Sequence, residues 1–125
     1  MADKKRILLV DDEAMITRTL AMYIEATGKY QVKAENDATE ALRAARSFKP
    51  HLILLDIMMP EMDGSEIAAQ IKEDPALCDT PIVFLTALVK RHEVGAAGKD
   101  IGGFPFLAKP VDPEKVIECI EKYVS

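Results

Sequence analysis

The chain is organised around residues 52–64, which read LILLDIMMPEMDG. Four consecutive apolar residues are typical of a strand that is buried on both faces, as in a parallel sheet. The run ends at Asp56, and the Pro60 and Asp63-Gly64 that follow are loop signals. Because open α/β sheets bind ligands beyond the carboxyl ends of their strands, Asp56 is the first candidate for a functional residue. Taken alone, Asp56 is better explained as an ordinary loop aspartate.

Three other apolar runs also end in residues that carry polar chemistry. They are residues 7–10 followed by Asp11 and Asp12, residues 81–85 followed by Thr86, and residues 104–108 followed by Lys109. If the strands are parallel, their carboxyl ends meet at one edge of the sheet, and these side chains converge there with Asp56. The sequence therefore predicts a cluster of three carboxylates, one hydroxyl and one ammonium group.

Five predicted helices alternate with the predicted strands. Apolar spacing and end signals place the helices at residues 14–27, at 38–48, between Ser65 and Asp74, at about 89–99, and from Pro113 onward, with a weak edge strand at 31–35. Gly28 marks the end of the first helix, and Asp37 and Ser65 are the predicted caps of the next two. The fourth helix is the weakest, because Gly95 and Gly98 interrupt it. Strict alternation implies a parallel sheet with helices on both faces.

Length and composition narrow the classes of function. A chain of 125 residues is the size of one domain, and its net charge of −5 argues against a surface for nucleic acid or an anionic membrane. No apolar run approaches the roughly 20 residues of a membrane span, and the first residues lack the apolar core of a signal peptide. We therefore expect a cytoplasmic protein, in which Cys78 and Cys119 are free thiols.

The predicted cluster favours magnesium and phosphoryl chemistry. Carboxylates placed side by side repel one another unless a cation joins them. A set of oxygen ligands without Cys or His selects a hard divalent ion, and Mg²⁺ fits because it binds one or two carboxylates together with phosphate oxygens. Lys109 can hold a phosphoryl oxygen, and Thr86 supplies a hydroxyl group. A carboxylate in such surroundings can itself be the nucleophile, which gives an aspartyl phosphate.

Together these features resemble the response-regulator receiver domain of two-component signalling. The residues that carry the resemblance are Asp11-Asp12, Asp56 with Met59-Pro60 and Asp63-Gly64, Leu85-Thr86-Ala87, and Lys109-Pro110. The likeness covers residues 5–124, and five motifs in order at the ends of successive strands are specific as a set. The resemblance implies a single receiver domain over residues 1–125 with a flavodoxin-like, doubly wound (βα)5 fold. Its five-stranded parallel sheet would have the order 2-1-3-4-5.

The resemblance also implies a role for each matching residue of the acidic pocket. Asp56 would accept the phosphoryl group. Asp12 would bind Mg²⁺ directly, Asp11 would act largely through water, and the backbone carbonyl of Met58 would be a further metal ligand. Asp56 would also be a metal ligand in this arrangement.

A second group of matching residues would couple phosphorylation to a change of shape. Lys109 would pair with Asp56 and then with the phosphoryl group. Thr86 would move toward the phosphoryl group, and Phe106 would change rotamer with it. The peptide bond between Lys109 and Pro110 would be cis.

The implied function is a phosphorylation-controlled switch that catalyses only its own phosphorylation and dephosphorylation. A histidine kinase or phosphotransfer protein would donate the phosphoryl group. An output domain or a second copy would read the change at the face formed by segment 89–99, strand 104–108 and the last helix. Residues 102–106, GGFPF, replace the polar residues that usually precede the switch aromatic, and the segment 86–109 is about one residue longer than usual. Phosphorylation is therefore better supported than the usual output mechanism.

Two other functions stay open from the sequence. A Mg²⁺-dependent phosphohydrolase with an aspartate nucleophile would need a second acid near Asp56 to protonate the leaving group, and Ile57 and Met58 supply none. A scaffold that binds partners without being phosphorylated is disfavoured by the complete set of acidic, Thr and Lys positions. Failure to bind Mg²⁺ would favour the scaffold. In each case we expect no direct contact with nucleic acid or membrane.

Overall fold

A computed structural model of the chain describes residues 4–60, 62–86, 100–101, 104–109 and 111–124. The strands are β1 (Lys5–Val10), β2 (Tyr30–Glu35), β3 (Leu52–Asp56), β4 (Ile82–Thr86), β5 (Asp100–Ile101) and β6 (Phe104–Ala108). The α-helices are α1 (Ala14–Ala26), α2 (Ala41–Phe48), α3 (Gly64–Glu73) and α4 (Pro113–Val124). The helix predicted at 89–99 and the proposed cis peptide at Pro110 lie outside the described residues. Within the described part, no helix is both long enough and apolar enough to span a membrane.

The sheet has the predicted doubly wound order. Five parallel strands lie side by side as β2-β1-β3-β4-β6, which confirms the order 2-1-3-4-5 predicted from the sequence. The strand β5 was not predicted: Ile101 pairs with Phe104 and Asp100 pairs with Pro105, so β5 runs antiparallel to β6 at the edge of the sheet. A strand of two residues is too short to show the alternation on which strand prediction depends.

The core lies in two layers, one on each face of the sheet. Along β3, Ile53 and Leu55 pack with the buried residues of α2 and α3, while Leu52 and Leu54 pack with those of α1 and α4. Alternate residues of a strand point to opposite faces, and all five residues of β3 are buried. A run of apolar residues without polar alternation is therefore what a central strand between two helical layers requires.

The starts of α2 and α3 differ from the sequence predictions. The side chain of Asp37 accepts a hydrogen bond as predicted, but it caps a short 3₁₀ turn at Ala38–Glu40, and the α-helix begins only after this turn. The helix α3 begins at Gly64, two residues earlier than expected, and Asp63 is its cap instead of Ser65. The Asp63 carboxylate accepts a hydrogen bond of 2.9 Å from the backbone N–H of Ser65. Two capping residues stood close together in the sequence, and the earlier one is used.

Candidate functional site

The carboxyl ends of β1, β3, β4 and β6 bring four of the predicted site residues together. Asp11 follows β1, Asp56 ends β3, Thr86 ends β4, and Lys109 follows β6. Asp11, Asp56 and Thr86 are each at most 3% exposed. The backbone N–H of Lys109 donates a hydrogen bond of 2.8 Å to the carbonyl of Thr86, which continues the pairing of β4 with β6 and fixes where the lysine leaves the sheet.

The ammonium group of Lys109 lies among three carboxylates. Its Nζ is 2.7 Å from Asp11 Oδ2, 3.4 Å from Asp56 Oδ2 and 3.5 Å from Glu13 Oε1. The Lys109 side chain is only 10% exposed, so these contacts are shielded from water far more than a surface ion pair. Asp11 is held at both oxygens, because its Oδ1 also accepts a hydrogen bond of 3.0 Å from the N–H of Glu13.

The surroundings of Asp56 disfavour its charged form. Burial, and after it the neighbouring Asp11 carboxylate, raise the pKa of Asp56 to about 6, although Lys109 and the N–H of Met58 act in the opposite direction. The Met58 N–H donates to Asp56 Oδ1 across 3.4 Å, which is a long contact. In the metal-free protein, the single ammonium of Lys109 therefore does not fully compensate the two buried carboxylates.

The surroundings of Lys109, in contrast, favour its charged form. Burial alone lowers the pKa of its ammonium group, but the hydrogen bond to Asp11 and the charges of Asp11 and Asp56 outweigh burial and raise the pKa above its ordinary value. Lys109 is therefore charged throughout the physiological pH range and supplies a permanent cation at the site.

The same edge carries a group of oxygens that could hold a metal ion. One carboxylate oxygen from each of Asp11, Asp12 and Asp56 lies within 4.8 Å of the others. Asp12 is exposed, whereas Asp11 and Asp56 are buried, so the group opens to solvent on the Asp12 side. An all-oxygen set of this kind fits a hard divalent cation.

The loop that follows Asp56 is closed by Gly64. The N–H of Gly64 donates a hydrogen bond of 2.8 Å to the carbonyl of Ile57, which draws the start of α3 against the end of β3. A Cβ atom on Gly64 would overlap the carbonyl oxygen of Asp56 and would lie 2.8 Å from the Cα of Ile57. Both neighbours are backbone atoms, so only a residue without a side chain fits at this position.

Replacing Gly64 with alanine is expected to displace the backbone of Asp56. We expect Gly64→Ala to reduce the free energy of unfolding by about 1–3 kcal/mol, as for other overpacked sites. Labelling of Asp56 by acetyl phosphate should fall as well, because the nucleophile moves relative to Lys109. Urea unfolding and intact-protein mass spectrometry measure the two effects.

Gly28→Ala is the matched control for this prediction. Gly28 has φ 78°, and a Cβ there would meet no atom within 4 Å. Gly28→Ala therefore introduces backbone strain alone. We expect it to lower the free energy of unfolding by about 1 kcal/mol and to leave the labelling of Asp56 unchanged. Wild-type stability together with wild-type labelling in Gly64→Ala would contradict the close approach.

Two other predicted site residues, Phe106 and Met58, carry no direct sign of their predicted roles. Phe106 is half-buried in β6, where it is in register with Phe84 and packs against the core layer of α2 and α3. Met58 is 59% exposed beside the acidic group. The switch role of Phe106 and the metal-ligand role of the Met58 carbonyl stay predictions.

Sequence reasoning gave no role to Glu13, although it lies at the site. Glu13 occupies the N-cap position of α1, but its side chain makes no capping hydrogen bond and instead lies 3.5 Å from the Lys109 ammonium. The available signal was its place directly after Asp11-Asp12 at the end of a strand. That signal does not show whether the carboxylate turns toward the helix or toward the lysine.

Comparison with known proteins places this geometry in a family. Residues 7–121 match the family model described as "Response regulator receiver domain". Among curated proteins, the chain is 35% identical to response regulator Rre1 of Synechocystis sp., and the match covers 100% of the chain and 54% of that protein. It is 39% identical to the transcriptional regulatory protein ResD of Bacillus subtilis, over 92% of the chain and 46% of that protein. The chain thus spans about half the length of these relatives.

Solved structures show the same fold. The chemotaxis response regulator CheY4 of Vibrio cholerae superposes with a TM-score of 0.81 and 26% sequence identity, over 97% of this chain and 99% of that chain. A response regulator from Chloroflexus aurantiacus superposes with a TM-score of 0.83 at 24% identity, over 98% of both chains.

Proposed function

The chain belongs to the response regulator receiver domain family, and we propose that it is a phosphorylation switch in which Asp56 accepts the phosphoryl group with the help of Mg²⁺. The observation that carries this proposal is the arrangement around Asp56. A buried carboxylate lies 3.4 Å from the Lys109 ammonium and within 4.8 Å of oxygens from Asp11 and Asp12. Phosphoryl transfer depends mainly on such positioning and neutralisation of charge.

In the proposed step, a carboxylate oxygen of Asp56 attacks the phosphorus of a phosphohistidine. The O–P bond forms as the P–N bond breaks, and the imidazole nitrogen leaves with the electron pair and takes up a proton. The ammonium of Lys109 faces Asp56 Oδ2 and is placed to contact the oxygens of the incoming phosphoryl group. The hydroxyl of Thr86, at the end of β4, is the proposed further contact.

The metal is assigned to the acidic group. Asp12, Asp56 and the carbonyl of Met58 would hold Mg²⁺, with Asp11 acting through water. When bound, Mg²⁺ supplies positive charge that neutralises phosphoryl oxygens. The chain holds Asp11 at both carboxylate oxygens, through the N–H of Glu13 and the ammonium group of Lys109. The carboxylate of Asp12 is the one that is open to solvent.

The surface beside the site favours a protein as the phosphoryl donor. Met15 of α1 is a large apolar side chain that is 81% exposed. It borders an apolar groove of about 310 Å³ that reaches Lys109 and is lined by Met15, Ile16, Thr19, Leu20, Lys109, Val111 and Pro113. A histidine kinase or phosphotransfer protein could bury this surface while its histidine approaches Asp56.

The output is proposed to pass through the face of the domain that carries β6 and α4. Phosphorylation would change this face, and an output domain or a second copy would bind it. The net charge of −5 favours a protein, not nucleic acid or membrane, as the direct partner of these 125 residues. We place this single receiver domain in the cytoplasm, as a switch and not a metabolic enzyme.

The role of Asp12 provides the test of the proposal. We expect Asp12→Ala to lower labelling by acetyl phosphate in Mg²⁺ on the order of 10²-fold, because charge stabilisation of the phosphoryl group is lost. Intact-protein mass spectrometry measures the label, and far-UV circular dichroism checks the fold. Asp79→Ala, which removes an exposed carboxylate far along the chain, should label like the wild type. Undiminished labelling of Asp12→Ala would refute the assigned metal role.

A further inference from the structure

Asn36 connects the end of β2 to the loop that carries the acidic residues. The N–H of Asp11 donates a hydrogen bond of 3.1 Å to the carbonyl of Glu35, which is the last backbone link between β1 and β2. The next link is made by a side chain, because Asn36 Nδ2 donates a hydrogen bond of 2.8 Å to the carbonyl of Asp11.

The second hydrogen of the same amide is also used. Asn36 Nδ2 donates across 2.9 Å to Thr17 Oγ1, and the Thr17 hydroxyl in turn donates across 3.1 Å to the carbonyl of Ala14. Thr17 is only 2% exposed, whereas Asn36 lies at the surface, so the two hydrogen bonds of the Asn36 amide are partly buried. The Asp11 carbonyl can only accept, which fixes the amide nitrogen of Asn36 toward it. Asn36 thus joins β2, the acidic loop and the first turn of α1.

We infer that Asn36 is a positioning residue for the metal ligand Asp12. The carbonyl that Asn36 holds belongs to the peptide unit between Asp11 and Asp12, so this hydrogen bond sets the direction in which Asp12 leaves the backbone. Asp12 is exposed, and packing therefore does not fix its carboxylate. Asp11, in contrast, is held independently by the Glu13 N–H and by Lys109. The inference rests on the proposed Mg²⁺ role of Asp12.

Magnesium affinity is the readout that separates positioning from general stability. Asn36→Leu keeps the size of the side chain and removes both donors without adding charge. We expect its dissociation constant for Mg²⁺, measured by titration calorimetry with MgCl₂, to rise about tenfold or more, as for other groups that orient metal ligands. Thermal unfolding in EDTA reports the structural cost separately.

Two further variants sharpen the experiment. Gln31→Met removes an exposed amide near the start of β2 and should bind Mg²⁺ like the wild type. Thr17→Val removes only the link to α1, so it should lower the unfolding midpoint in EDTA while leaving the Mg²⁺ affinity within about twofold of the wild type. If Asn36→Leu lowers the unfolding midpoint in EDTA but leaves the Mg²⁺ affinity unchanged, the positioning role of Asn36 is refuted and the proposed metal role of Asp12 still stands. Absence of Mg²⁺ binding in the wild type would overturn the proposed metal role as well.

Discussion

Replacing Asp56 with asparagine is expected to abolish phosphoryl incorporation and, at the same time, to stabilise the metal-free protein at neutral pH. The amide cannot form the aspartyl phosphate. The carboxylate, with its pKa raised to about 6, is costly to ionise in the folded state, by about 3 kcal/mol relative to an ordinary aspartate. Asparagine avoids this cost. We therefore expect Asp56→Asn to raise the free energy of unfolding in EDTA at pH 7.5 by about 1–3 kcal/mol.

The pH dependence gives this prediction a definite sign. Because the pKa of Asp56 is higher in the folded than in the unfolded chain, its favourable contribution is complete below about pH 4. It is lost as the pH rises through about 6. The advantage of Asp56→Asn should therefore appear between pH 4 and pH 7 and should be absent at the acidic end. Urea unfolding across this range measures it.

Mass spectrometry after acetyl phosphate treatment tests the other half of the Asp56 prediction. Ile57→Val, which keeps the carboxylate and trims one methylene beside it, is the control for local packing changes. It should be labelled like the wild type, and the difference between its free energy of unfolding and that of the wild type should not change between pH 4 and pH 7. A phosphoryl group that maps to His51 instead of Asp56 would contradict the assignment.

Much of the fold could be predicted because the signals are local in sequence. The unbroken apolar run at residues 52–55 predicts the strand Leu52–Asp56. The strict alternation of predicted strands and helices then implies a parallel sheet. The strand order came from the resemblance to a family, and the structure confirms it. The start of α3 was misplaced because Asp63 and Ser65 are both good caps, and only the path of the backbone decides between them.

The site was less predictable where it depends on the directions of side chains that are distant in sequence. That Asp11, Asp56 and Lys109 meet follows from strand ends at one edge of a sheet. The contact of Glu13 with Lys109 and the reach of Asn36 to Asp11 do not follow, because each requires the geometry of two elements at once. The sequence identifies Gly64 only as a turn residue. Its close approach to the backbone of Asp56 depends on how α3 packs against the end of β3, which the sequence does not show.

Removing the ammonium of Lys109 is expected to have the largest effect on stability. Lys109→Met keeps the aliphatic length of the side chain but leaves Asp11 and Asp56 buried together without a cation. Breaking a buried ion pair in this way typically costs about 3–5 kcal/mol. The loss should be greatest at pH 8. It should shrink at pH 5.5, which lies below the raised pKa of Asp56 of about 6, and it should shrink when Mg²⁺ supplies the missing charge.

Lys29→Met is the matched control, because it makes the same substitution at an exposed ion pair. Lys29 Nζ lies 3.7 Å from Glu121 Oε2, and its side chain is 65% exposed. Such surface pairs contribute at most about 1 kcal/mol, with little dependence on pH between 5.5 and 8. Urea unfolding of both variants at the two pH values, in EDTA and in Mg²⁺, separates the two cases. If Lys109→Met loses no more than Lys29→Met, or loses equally at both pH values, then Lys109 does not compensate the buried carboxylates.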